Sequence, residues 1–298
     1  MILLLFLLMT CLSVDVYSHE YLSSWNEGVN KRAIVDFVHE VCDSASKNYV
    51  VPEDRIATFD QDGTLLVEQP LYAQGVFALQ RAKVTEIPRA EKEWAKIIAE
   101  TNANMTEEVF ADVVGKWLAA TKHPRFNRPY TELVYKPMLE LMEYLRVNGF
   151  KTYIVTGSGQ EFVRVYSQKV YGVPVEQVIG SSVVTTYEIS NGKPVLMRQP
   201  MLFFIDDRGG KPVAINQHIG KKPIASFGNS DGDREMLEWT QSRSGAHLMM
   251  LVHHDDGERE YEYGPDTKFG TFSDALMDEA KKNNWHVISM KRDWKRIF

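Results

Sequence analysis

Cysteine is scarce in this chain. Cys11 and Cys42 are the only two in 298 residues. Cys11 lies in an apolar leader, and once that leader is removed no intramolecular disulfide can form. Stability must then come from a buried core, which a chain of this length can provide. Positive charge is also in deficit. The chain has 34 Lys and Arg against 40 Asp and Glu, a formal net charge of −6. A nucleic-acid surface needs a basic patch, so no nucleic-acid partner is expected. There is no long charge run, internal repeat or low-complexity tract, and nothing marks a protein partner. The only long apolar run, MILLLFLLMTCLSV at residues 1–14, is shorter than the roughly 20 residues a membrane helix needs.

That run has the length of a signal-peptide core. Val16 and Ser18 are small enough for the −3 and −1 positions of a cleavage site before His19. Residues 1–18 are therefore read as a signal peptide, and the protein as exported, periplasmic or secreted, with no stable membrane span after cleavage. The alternative is a buried N-terminal helix. Cys42 sits on an amphipathic stretch, AIVDFVHEVC, beside Ile34, Phe37, Val38 and Val41. That places it in the core and not in a reactive site.

Residues 55–64, RIATFDQDGT, carry the first chemical signal. A short apolar strand over 55–59 ends on Asp60. Asp62 follows two residues on, and Gly63-Thr64 turn the chain. In open α/β sheets, ligands bind just beyond the C-terminal strand ends. A plain polar turn capped by Asp62 is the structural alternative.

From Leu71 to about Thr121 the apolar spacing is helical throughout, in three segments. Some 65 residues of helix after one strand exceed what a simple crossover needs, so residues 66–132 read as an inserted helical cap. Arg125 and Arg128 in the loop that leads back read as solvated charges. A helix is expected from Thr131 to Gly149, then a strand over 152–155 ending at Thr156-Gly157. One helix is expected in EFVRVYSQKVYG, closed by Gly172. Asn191-Gly192 between two alternating runs predicts a hairpin within 183–205. A helix over 211–219 opens with Lys211-Pro212. A strand over 223–227 leads into GNSDGD. A helix from Arg234, a strand in AHLMMLVHH, a helix from Ser273 and a last strand in WHVISM complete the chain. Strands alternating with helices predict an α/β, doubly wound, mostly parallel Rossmann-like sheet. The core is expected to comprise residues 19–65 and 133–298.

In such a sheet, three polar strand ends open on one edge: Asp60/Asp62, Thr156/Gly157 and Asn229/Asp231/Asp233. Asp60 could attack phosphorus to form an aspartyl phosphate. Asp62 could protonate the leaving oxygen and later deprotonate water. Mg²⁺, bound through oxygen, would neutralise the carboxylates before an anionic ester approaches. Thr156 and the Gly157 and Ser158 amides suit a phosphoryl oxygen, or Thr156 simply caps the next helix. Lys211 opens a helix on the same edge and is the expected cationic partner. Lys221 and Lys222 precede a strand and fall on the opposite edge. Asp231 and Asp233 could instead cap their helix. The GNSDGD run lacks the ligand spacing of an EF-hand. His253, His254, Asp255 and Asp256 read as surface.

The ordered set FDQDGT, IVTGSG, Lys211 and FGNSDGD resembles the haloacid dehalogenase superfamily, in particular its phosphoserine-phosphatase-like and acid-phosphatase-like branch. The resemblance implies Asp60 as nucleophile and Asp62 as acid/base and carbonyl ligand to Mg²⁺. It implies Thr156 and Lys211 as phosphoryl binders. Metal ligands would be Asp60, Asp62, Asn229 and Asp233, with Asn229 where the family usually has Asp. A substrate-binding Glu is implied after the first motif, and Glu68 stands one residue early, with Gln69 in the expected place. The expected activity is that of an exported Mg²⁺-dependent phosphatase acting on a small phosphate monoester. A phosphotransferase would use the same residues. A non-catalytic anion-binding protein is opposed by the two adjacent carboxylates.

Overall fold

Four residues with no polar side chain but Thr58, Ile56–Phe59, form the central strand β1, buried along its whole length. The computed structural model describes residues 21–88 and 90–298, so the expected signal peptide lies outside the described residues. Among the described residues no helix is long and apolar enough to cross a membrane.

The sheet has seven strands: β1, β2 (Lys151–Gly159), β3 (Val178–Ser190), β4 (Lys193–Phe204), β5 (Ala225–Gly228), β6 (Leu248–His253) and β7 (His286–Ser289), in the order β4-β3-β2-β1-β5-β6-β7. Every pairing is parallel except β3–β4. Phe59 is in register with Ile154 on one side and Phe227 on the other. The ends of β1 and β5 therefore coincide, with the body of β2 running past them.

Successive strand residues point to opposite faces, and the core divides accordingly. One face carries Phe59, Ile154, Val178 and Met250, and packs on α1 (Val29–Cys42) and α5 (Lys136–Val147). The other carries Val155, Ile179, Met249 and Leu251, and packs on α8 (Gly210–Ile219), α9 (Arg234–Gln241) and α10 (Asp274–Lys282). The sheet is thus wound on both faces. A short helix, α11 (Met290–Asp293), follows β7.

Several local expectations change. The helix expected from Thr131 begins at Lys136, after a 3-10 turn over Tyr130–Glu132. Pro137 is the reason: it fits the first turn of a helix and would break an interior. Strand β2 does not stop at Val155 but runs extended through Gly159. Gly180 of β3 permits this, because a Cβ there would lie 2.7 Å from the Ser158 carbonyl oxygen. The helix expected over EFVRVYSQKVYG divides into α6 (Gln160–Arg164) and α7 (Ser167–Tyr171). The break leaves Tyr166 free to donate its hydroxyl to the Gln61 side chain, 2.9 Å away. The first part of β3, over 178–180, is a parallel core strand that the alternating pattern did not mark. The Asn191-Gly192 turn is present, with φ of 51° and 74°.

Between β1 and β2 the chain leaves the sheet to form α2 (Ala73–Ala82), α3 (Glu91–Thr101) and α4 (Glu107–Ala120). Thr106 caps α4, accepting from the Val109 amide at 3.3 Å. The outer half of the β3–β4 hairpin joins these helices. Asn104 N donates to the Arg198 carbonyl and Arg198 N to that of Met105, at 2.9 and 3.0 Å. The Arg198 guanidinium donates to the Asn102 carbonyl and to Glu107, both at 2.7 Å, over the face of Phe110. The roof over the sheet edge is therefore built from two separate stretches of chain.

Candidate active site

The loop after β1 is fixed by its backbone. Asp60 N donates to the Phe227 carbonyl at 2.9 Å, and the Gln61 carbonyl accepts from Thr64, Leu65 and Leu66. Gly63 has φ +82°, and a Cβ on it would lie 1.9 Å from Glu68 Oε1 and 2.0 Å from Asn229 Nδ2. Both facts exclude a larger residue.

Lys211 Nζ lies 2.6 Å from Asp60 Oδ1 and donates to the Val155 carbonyl at 2.8 Å. It is also 2.8 Å from Asp233 Oδ1, an ion pair misaligned for a hydrogen bond. Asp62 Oδ2 accepts from Ser158 Oγ at 2.6 Å, and Oδ1 from Gln61 at 3.3 Å. Thr156 does not cap a helix. Its Oγ1 accepts from the Ser158 amide at 3.0 Å inside the extended run. Asp60, Asp62, Thr156, Gly157, Lys211, Glu68 and Asp233 all line one cavity of about 760 Å³ beneath the roof.

The GNSDGD loop divides its oxygens. Asp233 Oδ2 accepts from the Asn229 and Ser230 amides at 2.9 and 3.0 Å, which presents Oδ1 to Lys211. Asp231 turns away to accept from Ser273 N and Oγ ahead of α10. The Asn229 side chain is engaged below the cavity floor: Oδ1 accepts from Thr64 at 3.0 Å, and Nδ2 donates to Glu68 at 2.6 Å. Geometry thus gathers Asp60, Asp62 and Asp233, while Asp231 lies elsewhere and Asn229 braces Glu68. Lys221 pairs with Asp54 and Lys222 with Ser242, away from the cavity. Arg125 and Arg128 bind backbone carbonyls at the surface.

Charge in the site is unbalanced. Burial, and then Asp233, push the Asp60 carboxyl well above its usual range against the opposing pull of Lys211. Burial also raises Asp62, opposed by Ser158. Burial followed by Asp62 and Asp60 raises Glu68 strongly. At Lys211 burial works against the charge, but Asp233, Asp60 and Asp206 outweigh it and raise its pKa. One buried ammonium thus faces several carboxyls, and Asp233 Oδ1 has no hydrogen bond. A hard divalent cation fits that deficit. Among the described residues no group of three or more His, Cys, Asp and Glu forms a ready metal cage. Mg²⁺ does not require one, since it binds through one or two carboxylates and retains waters.

Sequence patterns missed several neighbours. Ser158 was expected to offer its amide to a phosphoryl oxygen, but that amide is taken by Thr156 Oγ1, and it is the Ser158 hydroxyl that reaches Asp62. Gln74 accepts from the Gly159 amide at 2.6 Å, and Tyr263 donates to Glu68 at 3.1 Å. Neither carries a local signal. Asp206, fully buried, has neither carboxylate oxygen hydrogen-bonded. Burial pushes its pKa up to about 7, opposed by Lys211 and the Thr156 backbone. Because folding raises this pKa, the folded protein keeps a proton that the unfolded chain loses from about pH 4. Stability should therefore fall as pH rises from there to about 7. Asp206→Asn should flatten that decline and stabilise the fold at pH 8 by on the order of 4 kcal/mol at most, which a higher melting temperature would register. Parallel melting curves at pH 5 and pH 8 test this, and an unchanged slope would refute it.

Two aspartates after β1, a hydroxyl on β2 and a buried lysine at the start of α8 meet at one edge of an α/β sheet. The model of the haloacid dehalogenase-like hydrolases matches residues 57–238, and the chain belongs to that family. No curated protein matches it significantly. Among solved structures, it is similar to a protein of unknown function from Bordetella pertussis Tohama I. That match has 16% identity, covers 78% of this chain and 97% of the other, and has a TM-score of 0.50. A conserved, functionally unknown protein from Anaerococcus prevotii DSM 20548 matches at 16% identity over 87% and 91% of the chains, with a TM-score of 0.53. At such identities the likeness concerns the fold.

Proposed function

We infer that this protein is an exported, Mg²⁺-dependent phosphatase that hydrolyses small phosphate monoesters through an aspartyl phosphate on Asp60. One observation carries the reading: Lys211 holds one Asp60 oxygen at 2.6 Å, while Ser158 holds the Asp62 carboxylate at 2.6 Å over the same cavity. An anion binder would avoid this pair of carboxylates, whereas phosphoryl transfer needs both.

The second oxygen of Asp60 attacks phosphorus, forming a P–O bond as the ester P–O bond breaks. Asp62, which burial makes readier to take up a proton, gives one to the departing alkoxide. Water then attacks the phosphoryl group, Asp62 takes its proton, and the acyl-phosphate bond breaks to restore Asp60. Lys211, Thr156 and the Gly157 amide stabilise charge on the phosphoryl oxygens. Asp60, the Asp62 carbonyl and Asp233 would hold Mg²⁺, which supplies charge neutralisation for an anionic ester. Purified protein should release phosphate from an aryl phosphate, lose at least ~90% of that activity in EDTA, and regain it with Mg²⁺. Activity indifferent to EDTA would remove the metal from the scheme.

The leaving-group side is aromatic. Half-buried Tyr72, Trp94 and Phe269 line the cavity, with ring centroids 5.4 to 5.9 Å apart. Their planes are inclined by 43° to 84° to one another, so the cluster is a faceted aromatic patch on one ring of which a flat group can stack. A nucleoside 5′-monophosphate should be turned over at least ~10-fold more efficiently than ribose 5-phosphate, in line with base–aromatic stacking. Trp94→Ala should erase that preference, and equal efficiencies in the wild type would refute it. Export rests on residues 1–18. Recovery of the chain outside the cytoplasm with His19 as its first residue would establish it.

A further inference from the structure

The His253–Asp256 cluster, read from sequence as surface, contains two buried residues: His254 and Asp256 are 2% and 3% exposed. Asp256 fastens the turn after β6 by accepting from the side chain and amide of Arg259. Arg259 in turn donates to the carbonyls of Met290 and Trp294, at 2.8 and 3.0 Å. On this anchored turn, His254 and Glu260 face each other. His254 Nδ1 lies 3.1 Å from Glu260 Oε2, and Nε2 lies 2.8 Å from the Gly63 carbonyl oxygen. The imidazole stacks on Tyr263 at 4.2 Å. Glu260 also accepts from Tyr135 Oη at 3.2 Å and from the Tyr261 amide at 2.7 Å.

A carbonyl oxygen can only accept, so Nε2 must carry a proton. The contact to Glu260 needs a second proton, on Nδ1 or on the carboxyl. Either arrangement is net neutral, which allows the pair to be fully buried. Gly63 is one residue after Asp62 and three after Asp60, in the turn whose position sets both carboxylates.

We propose that His254, oriented by Glu260, is a positioning residue of the active site: it clamps the Gly63 carbonyl and so holds the Asp60–Asp62 turn in its reactive geometry. This inference rests on the phosphatase reading above. Two substitutions separate the clamp from simple burial. His254→Gln places an amide donor near the position of Nε2 and keeps the bond to Gly63. His254→Asn places one near Nδ1, keeps Glu260 paired and releases Gly63.

The clamp predicts that His254→Asn lowers kcat for an aryl phosphate at least ~10-fold with KM little changed, while His254→Gln stays within about 3-fold of wild type. Melting temperatures of both variants are measured alongside. A purely structural role predicts lower melting temperatures without this split in kcat, and equal kcat in the two variants overturns the clamp. Orthovanadate binding with Mg²⁺ present gives a readout independent of turnover, and should weaken in the Asn variant alone. Wild-type turnover with indistinguishable variants defeats only the clamp. Wild-type protein that neither turns over esters nor binds vanadate defeats the phosphatase reading and the clamp together.

Discussion

Asp60→Asn should leave a folded protein whose phosphate release is reduced by roughly 10³-fold or more, as expected when a nucleophile is removed. The amide keeps the shape of the carboxylate, and its oxygen can still accept from Lys211. It also removes a buried charge that desolvation and Asp233 both disfavour. The melting temperature should therefore stay level or rise, which separates lost chemistry from lost structure. Phosphate release and melting curves on the same preparation decide the matter. Activity within tenfold of wild type would mean that Asp60 is not the nucleophile.

Lys211→Met should have the largest effect on stability. The ammonium is 2% exposed and lies between Asp60 and Asp233. Without it, two desolvated carboxylates face each other unpaired. Breaking a buried pair in this way costs about 3–5 kcal/mol. In a chain of this size that is a loss of roughly 2–4 °C per kcal/mol. Activity should fall at least ~10²-fold through lost electrostatic stabilisation. Millimolar Mg²⁺ should recover part of the stability, because a cation bound only by the folded state raises its melting point. Lys221→Met is the control, since Lys221 and Asp54 form an exposed pair, of a kind that contributes about 0–1 kcal/mol. Equal losses in the two variants would show that Lys211 is an ordinary surface lysine in its energetics.

The parts of this architecture legible in the sequence are those with a local cause. Alternation and helical spacing marked the strands and helices because each face must bury its own apolar side chains. Asn191-Gly192 marked a hairpin because its left-handed φ values suit those residues. That Asp60, Asp62 and Lys211 meet in one cavity was readable because strand ends and helix starts of a parallel sheet open on the same edge. What escaped has distant causes. The pairing of His254 with Gly63 spans 191 positions, and no pattern near either residue encodes it. Asn229 and Asp231 look equivalent to Asp233 in sequence. Only the fold shows that one supports Glu68, one serves Ser273, and one meets Lys211. The hairpin's attachment to the helical insertion was hidden for the same reason: the ties of Arg198 to Asn102 and Glu107 cross about 90 residues.

That attachment bears on how substrate enters. A cap carried on one insertion has two chain crossings and can swing on them as a hinge. Here the helices of 73–120 and the hairpin of 178–204 are sewn together, so four crossings tether the roof to the sheet. The helices cannot lift without drawing β3 with them, and β3 is continuous with the strand beside Thr156. Any opening of the cavity is therefore mechanically linked to the edge of the sheet that carries Thr156. Access to the site and the geometry of its floor would change together.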